Sequence, residues 1–453
     1  MWMKNHLKIR VWLIIAVICC PLLMGCADSE DKTEQITQSG QELTGTLGLE
    51  PDFSYARIEQ IPSIRIDQEG YRTDSRKNVF IVTTRELKKE FEVQTQKEQK
   101  TVLTGNLVLL RQDKKTNECL YIGDFSSFAE EGSYRIYQAE TGYSYAFVID
   151  DSIYLTIIDQ LYQSLIKKTE QKTSQEIYKL SMLMLTEEVY PYVSVQKKND
   201  NLEKQIERLC TYQDEETGAM PLLLEGADQT ASLSATAEFA GLMAQYAGQV
   251  QQKDAQKAAE YLQRARKAYT YMEQYRDNVS TDSWYYAASF LYKATGRQKY
   301  SYAIREYDLF PVQSRTISEC DFTCMADLAY MMTTYKTDFK RCQERMKIYT
   351  DRASDISVHT QRENFYVADG TDKLSNQVLM DQIFTLSIVN HVLSGREYAA
   401  IQENYIHYLF GVNQKNCNRL LYDYTSDSSM EAIKEHDTEL VKLYFILRGL
   451  HVK

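Results

Sequence analysis

The sequence is poor in the features that mark several common classes of binding protein. It has 52 basic against 63 acidic residues, and hence a formal net charge of −11. It has three tryptophans, of which Trp2 and Trp12 lie within the first 25 residues. Its nine cysteines and six histidines are scattered rather than grouped at the spacings of zinc ligands.

Each of these shortages argues against a function. The negative charge argues against nucleic-acid binding, which requires a basic patch. Cys320 and Cys324 stand four apart on one predicted helix face, but no pair of histidines accompanies them. We therefore expect no metal and no cofactor, and mostly buried free thiols with room for one disulfide. After residue 25, Trp284 is the one tryptophan on which a sugar ring could stack, although tyrosine could serve as well.

Residues 1–25 have the pattern of a bacterial lipoprotein signal peptide. A basic start precedes an apolar run from Val11 to Met24, which is too short to span a bilayer comfortably. The run ends in Leu23-Met24-Gly25-Cys26, which resembles a lipobox. We expect Cys26 to be acylated and to anchor the protein to the extracytoplasmic face of the cell membrane. An ordinary secretory signal with a chance cysteine is the alternative.

Residues 26–61 are polar and contain few large apolar residues. Such a segment cannot bury enough surface to order itself, so we predict a disordered tether. Loss of residues 1–25 removes three basic and no acidic residues, which changes the net charge from −11 to −14.

A change of hydrophobic period divides the rest of the chain. Residues 62–150 alternate with a period of two and are punctuated by turns, which is typical of a β-sandwich. In residues 151–453 the period is helical, and the length fits about twelve helices in antiparallel pairs. Apolar stripes predict helices over residues 231–250, 254–275, 283–295, 317–334, 376–393, 397–410 and 431–450.

Short motifs in both regions occur in a familiar order. They are Asp67-Gln68-Glu69-Gly70-Tyr71, Gly123-Asp124-Phe125-Ser126 and Glu131-Gly132-Ser133-Tyr134, then Ala235-Thr236-Ala237, Lys293-Ala294-Thr295-Gly296 and Tyr408-Leu409-Phe410-Gly411. Together they resemble a divergent member of glycoside hydrolase family 9. The resemblance implies a multidomain β + α protein, in which an immunoglobulin-like β-sandwich is followed by an (α/α)6 six-hairpin barrel. It also implies a polysaccharide or cell-surface glycan as the partner.

The resemblance further implies a catalytic base that this chain lacks. Family 9 enzymes invert the anomeric centre with a carboxylate base and a carboxylic acid about 6.5–9.5 Å apart. The family's base comes from an Asp-Ala-Gly-Asp motif early in the barrel, where this chain has Gln171-Lys172-Thr173-Ser174. Neither glutamine nor serine can act as this base at neutral pH, so the base is unknown.

Two further positions are implied by the resemblance. Glu431 falls on the family's general acid, a glutamate that opens the last helix, with Met430 and Asp437 in place of two asparagines. An ordinary acidic residue in a helix first turn is the alternative for Glu431. The family's His-Arg sugar-binding segment is replaced by Asn416-Cys417-Asn418-Arg419, which leaves Arg419 as a candidate substrate-binding residue.

Three functions stay open at this point. The missing base favours a degenerate barrel that binds a glycan or a partner protein without cleaving it, because the site and not the fold decides function. The two-domain resemblance favours an active, divergent, inverting endoglucanase-like glycosidase with Glu431 as general acid. A purely structural surface protein is the third.

Overall fold

The computed structural model describes residues 61–191, 199–226, 229–307, 320–361, 363–367, 375–420, 433 and 437–451. It has an immunoglobulin-like β domain followed by helical hairpins, which confirms the predicted fold class. The chain divides into two compact units. One contains the described residues up to Ile153 and those within 359–374 and 403–432, and the other contains those within 154–358, 375–402 and 433–453. The boundaries predicted at residues 25, 61 and 150 stay predictions.

The β domain is an antiparallel, eight-stranded arrangement in which β4 belongs to both layers. The strands are β1 (Ile64–Arg65), β2 (Asn78–Thr83), β3 (Glu90–Thr95), β4 (Thr101–Gln112), β5 (Cys119–Asp124), β6 (Gly132–Gln138), β7 (Gly142–Tyr143) and β8 (Phe147–Ile149). The first half of β4 pairs with β3 and its second half with β5. Alternate residues such as Val79, Ile81, Phe91 and Val93 fill the core between the layers, as the period of two predicts.

Twelve α-helices occur among the described residues. They are α1 (Ile153–Lys167), α2 (Thr173–Val189), α3 (Asn199–Cys210), α4 (Leu233–Val250), α5 (Ala255–Glu273), α6 (Thr281–Thr295), α7 (Gln298–Arg305), α8 (Phe322–Met331), α9 (Phe339–Thr360), α10 (Asn376–Val392), α11 (Ala399–Leu409) and α12 (Asp437–His451). A two-stranded ribbon, β9 (Met220–Pro221) and β10 (Ala231–Ser232), precedes α4.

Alternate helices form the inner layer of the barrel. Helix α2 packs against α4 and α12, α4 against α6, α6 against α8, and α10 against α12. The inner helices are apolar nearly all round, which is the pattern of helices covered on every side. The first turns of α2, α4, α6 and α12 are polar. Side chains that can ionise or form hydrogen bonds therefore lie at the starts of these helices.

One expectation about a helix start needs correction. Asp321 caps α8, since its carboxylate accepts the amide of Thr323 at 3.0 Å. Cys320 therefore precedes the helix, and the prediction that it shares a helical face with Cys324 is wrong. The predicted start of the last helix at residue 431 lies outside the described residues, and that helix is described from Asp437.

All six cysteines after residue 26 are free thiols in the structure, and three of them are buried. Within the described ranges, no helix has the length and apolarity that a membrane crossing requires.

Candidate functional site

Residues 171–174, the segment expected to carry the catalytic base, are held by hydrogen bonds to neighbouring backbone groups. Gln171 and Lys172 join α1 to α2, and Thr173 and Ser174 are the first two residues of α2. The amide of Leu224 donates to the carbonyl of Gln171 at 2.8 Å, and the hydroxyl of Thr173 donates to the carbonyl of Pro221 at 2.6 Å. Residues 171–174 are thus held against the segment that includes the ribbon strand β9.

Charged side chains collect beside this segment in what we call the carboxyl cluster: Lys168, Glu170, Glu176, Lys179 and Asp437. Asp437, the first residue of α12, lies 3.0 Å from the ammonium of Lys168 and 3.5 Å from that of Lys179. Glu176 lies 2.8 Å from Lys179 and also accepts the amide of Glu170 at 2.8 Å. The cluster therefore links α2 and α12 to the end of α1.

Burial raises the pKa of Glu170, and a hydrogen bond to Asp437 together with the charge of that carboxylate raises the pKa further. The ammonium groups of Lys168 and Lys179 oppose this shift, and that of Lys168 lies 3.5 Å from Glu170. The three carboxyl groups of the cluster therefore face two ammonium groups.

A carboxyl group outside the carboxyl cluster, that of Glu238, also contacts this segment. Glu238, on α4, is buried, and burial raises its pKa, although hydrogen bonds with Ser174 and Ser283 oppose the shift. The hydroxyl of Ser283, on α6, donates to Glu238 at 2.8 Å. The residue at the family's base position, Ser174, therefore contacts a carboxyl group supplied by a different helix.

This arrangement suits hydrogen bonding better than the activation of water. A general base must be ionised and must reach the attacking water. Beside residues 171–174, Glu170, Glu176 and Asp437 each lie within 3.5 Å of a lysine ammonium group, and burial raises the pKa values of Glu170 and Glu238. Protonated carboxyl and hydroxyl groups donate and accept hydrogen bonds, which is the chemistry that sugar hydroxyls require.

The two predicted substrate-binding residues that the structure describes are both buried. Trp284, on α6, is 5% exposed, and its ring lies between the ring of Tyr269 at 5.0 Å and the guanidinium of Arg276 at 4.1 Å. A sugar could stack on it only after Arg276 moves. Arg419 is also 5% exposed, and its guanidinium lies 5.0 Å from the ring of Tyr408. Both roles stay predictions.

Two other predicted residues lie outside the described ranges. Glu431, the candidate general acid, and Cys26, the candidate lipidation site, both belong to segments that the structure does not describe.

The sequence reasoning missed Glu170 and Glu238. Glu170 directly precedes the four residues that replaced the family motif, and a search for any carboxylate next to that position would have found it. No sequence signal identifies Glu238, because it reaches the segment from α4, 64 positions after Ser174 in the numbering.

Two family models match the chain, one in each of its two regions. The model for the cellulase N-terminal ig-like domain matches residues 59–142, and that for glycosyl hydrolase family 9 matches residues 167–430. A search of curated proteins finds no significant match.

Solved structures of the same architecture are similar along their whole lengths. A Bacteroides ovatus GH9 protein is 14% identical, with 86% of this chain and 99% of that chain covered and a TM-score of 0.69. A metagenome-derived glycoside hydrolase family 9 endoglucanase is 13% identical, with 88% and 100% covered and a TM-score of 0.72. A thermostable endoglucanase from Alicyclobacillus acidocaldarius is 14% identical, with 86% and 100% covered and a TM-score of 0.68. At these identities the likeness shows the fold alone.

Proposed function

Since the chain belongs to glycosyl hydrolase family 9, we propose that it is a cell-surface lipoprotein whose barrel binds a glycan without cleaving it. Polysaccharide is the expected ligand class, because two of the similar structures are described as endoglucanases. The fold can retain glycan binding, whereas glycan hydrolysis depends on specific carboxylates.

The observation that carries the proposal concerns the partners and the pKa shifts of the carboxyl groups beside residues 171–174. Ser174 stands at the base position, and the carboxyl groups around it lie beside lysines or have pKa values raised by burial. An inverting hydrolase needs one ionised carboxylate free to take a proton from water. The neighbourhood of Ser174 supplies hydrogen-bonding groups instead.

Attachment to the membrane is the second part of the proposal. A basic start, a short apolar run and Cys26 after Gly25 support lipidation of Cys26. Residues 26–61 would then separate the folded part from the lipid surface, and the negative charge of the mature chain would oppose closer contact with anionic lipid.

The experiment measures binding and cleavage of the same glycans. Purified full-length protein is titrated by calorimetry with oligosaccharides of β-1,4 and mixed-linkage glucans, and reducing ends are assayed in parallel. We expect saturable binding and no release of reducing ends. Ser174→Asp restores a carboxylate at the base position, and Glu260→Gln, on the exposed side of α5, is the control.

The alternative functions give different results. Release of reducing ends by the wild-type protein, abolished by Glu431→Gln, would overturn the proposal and establish an active glycosidase with Glu431 as general acid. Absence of both binding and cleavage would also overturn it and would favour a structural role or a protein partner.

A further inference from the structure

Two arginines of α9, Arg341 and Arg345, lie beside a stacked pair of tyrosines in the helical unit. Residues four apart on a helix are neighbours on one face. The rings of Tyr285 and Tyr307 stack at a centroid distance of 4.2 Å and an angle of 12°. Cζ of Arg341 lies 5.6 Å from the ring of Tyr285, and Cζ of Arg345 lies 5.8 Å from the ring of Tyr307. The two guanidinium groups are therefore close to each other.

Arg345 is buried and held in place by Asp327, on α8. Nε and Nη2, which form one edge of the guanidinium, donate to the two carboxylate oxygens at 2.7 and 2.5 Å. The other edge is different: Nη1 is buried and has no hydrogen-bond partner among the described residues. Since Arg345 is only 2% exposed, its Nη1 is a donor fixed in the interior.

The guanidinium of Arg341 has the same edge without an acceptor. Its Nε and Nη2 are both buried, and within the described ranges neither has a hydrogen-bond partner. The basic residues of α9 that form ion pairs inside those ranges are Lys340, Arg345 and Lys347. Arg341 thus presents the two nitrogens with which Arg345 binds a carboxylate.

The charges around Tyr285 favour an additional anion. Burial and the charge of Asp327 raise the pKa of Tyr285, and the charges of Arg345 and Arg341 both oppose that rise. Both positive charges therefore act at the place where Asp327 supplies one negative charge. Buried guanidinium nitrogens that lose hydration without gaining an acceptor are unfavourable. An oxyanion at this position would supply both the charge and the acceptors.

We propose that the fork of Arg341 and Nη1 of Arg345 form a binding site for one small oxyanion, such as a carboxylate or a phosphate group. The guanidinium fork matches the paired oxygens of either group. Arg345 forms the buried floor of the site, and Arg341, which is partly exposed, forms its entrance. Free inorganic phosphate and the carboxylate of an acidic sugar share this chemistry. The site does not depend on the proposed glycan binding.

The substitutions separate the shape of the guanidinium from its charge. Arg341→Lys keeps the charge and removes the fork, whereas Arg341→Gln removes both. Lys340→Gln is the matched control, because it removes one positive charge at the neighbouring position from a side chain that is 85% exposed. Arg345 is left unchanged, since its loss would strand the buried carboxylate of Asp327.

The test is calorimetric titration of full-length protein with inorganic phosphate and with glucuronate, at constant ionic strength. We expect saturable binding of at least one anion at one site per chain. Both Arg341 variants should bind about tenfold more weakly, because charge-assisted hydrogen bonds are lost. Lys340→Gln should stay within about twofold of the wild type, because exposed charges contribute little. Tighter binding of glucuronate than of phosphate would identify an acidic sugar as the ligand, and the reverse would identify a phosphate.

Either of two results would overturn the site. One is the absence of saturable binding of both anions to the wild-type protein, which would leave the arginine nitrogens to water. The other is equal weakening in Lys340→Gln and Arg341→Gln, which would show diffuse attraction to positive charge. Circular dichroism of each variant checks its folding, and Arg341→Lys provides the comparison if Arg341→Gln does not fold. Neutral β-glucans carry no oxyanion, so failure of this site is distinguishable from failure of the proposed function.

Discussion

At the scale of single residues, buried carboxyl groups of the helical unit have charged or hydroxyl partners. Asp327 accepts Nε of Arg345 at 2.7 Å and the hydroxyls of Tyr285 and Tyr349 at 2.8 and 2.7 Å. Asp381 lies 2.6 Å from the ammonium of Lys442. A buried charge needs such partners, because the loss of hydration is not otherwise compensated. Glu170 is different, since its neighbours include the carboxylate of Asp437, which raises its pKa.

The raised pKa of Glu170 makes folding stability depend on pH. Its pKa in the folded protein is raised above the unfolded value of about 4.3. The resulting stability is complete below the unfolded pKa and is lost as the pH rises through the folded pKa. Glu170→Gln keeps a donor for Asp437 and does not titrate. We expect the variant to gain about 1 kcal/mol relative to the wild type between pH 4 and pH 8, the net value of one buried hydrogen bond.

Urea unfolding at each pH, followed by circular dichroism, measures this difference. Glu260→Gln should follow the wild type across the range, because Glu260 is exposed on α5. Parallel pH profiles for the wild type and Glu170→Gln would show that Glu170 holds no extra proton.

At the scale of elements, two glycines illustrate how helix interiors and helix ends differ. Gly296 ends α6 with φ of 63°, and its amide donates to the carbonyl of Tyr292 at 2.8 Å. A Cβ atom there would lie 2.5 Å from the ring of Tyr335. Gly248 lies inside α4, and a Cβ atom there would meet nothing within 4 Å. The same substitution should therefore have opposite effects at the two sites.

We expect Gly296→Ala to destabilise the protein by roughly 1–2 kcal/mol, because a side chain is unfavourable in the left-handed region. We expect Gly248→Ala to stabilise it by roughly 0.5–1 kcal/mol, because alanine favours a helix interior. Urea midpoints of the two variants should lie on opposite sides of the wild-type value. Equal shifts in one direction would contradict this account of the helix ends.

At the scale of the whole molecule, the family fold survives at 13–14% identity to similar structures. Hydrophobic periodicity and helix packing tolerate that divergence, since many apolar residues of similar volume fill the same core. The chemistry of a catalytic site depends on single residues, so a likeness of fold at this identity does not carry an activity with it.

The proposed anchor makes a prediction at this same scale. In a lipoprotein-processing bacterial host, the full-length protein should partition into the detergent phase of a Triton X-114 extraction. Cys26→Ala should move it to the aqueous phase, because two acyl chains supply the stable attachment. Cys19→Ala, within the signal segment, is the matched control and should leave the partition unchanged. A detergent-phase Cys26→Ala protein would refute acylation at Cys26.

The sequence by itself determined the order of the β and helical regions, seven of the twelve described helices and the family. These follow from local patterns, because a period of two or 3.6 and a motif such as Asp67–Tyr71 are written in neighbouring residues. The helix starts were less predictable, as Cys320 shows, because a cap such as Asp321 is set by a single side-chain contact.

Only the tertiary structure decided what surrounds residues 171–174. Glu170, Glu238 and Asp437 come from a loop and two separate helices, and nothing in their local sequence brings them together. The pKa shifts of Glu170 and Glu238 depend on burial and on neighbouring groups, which are properties of the packed molecule.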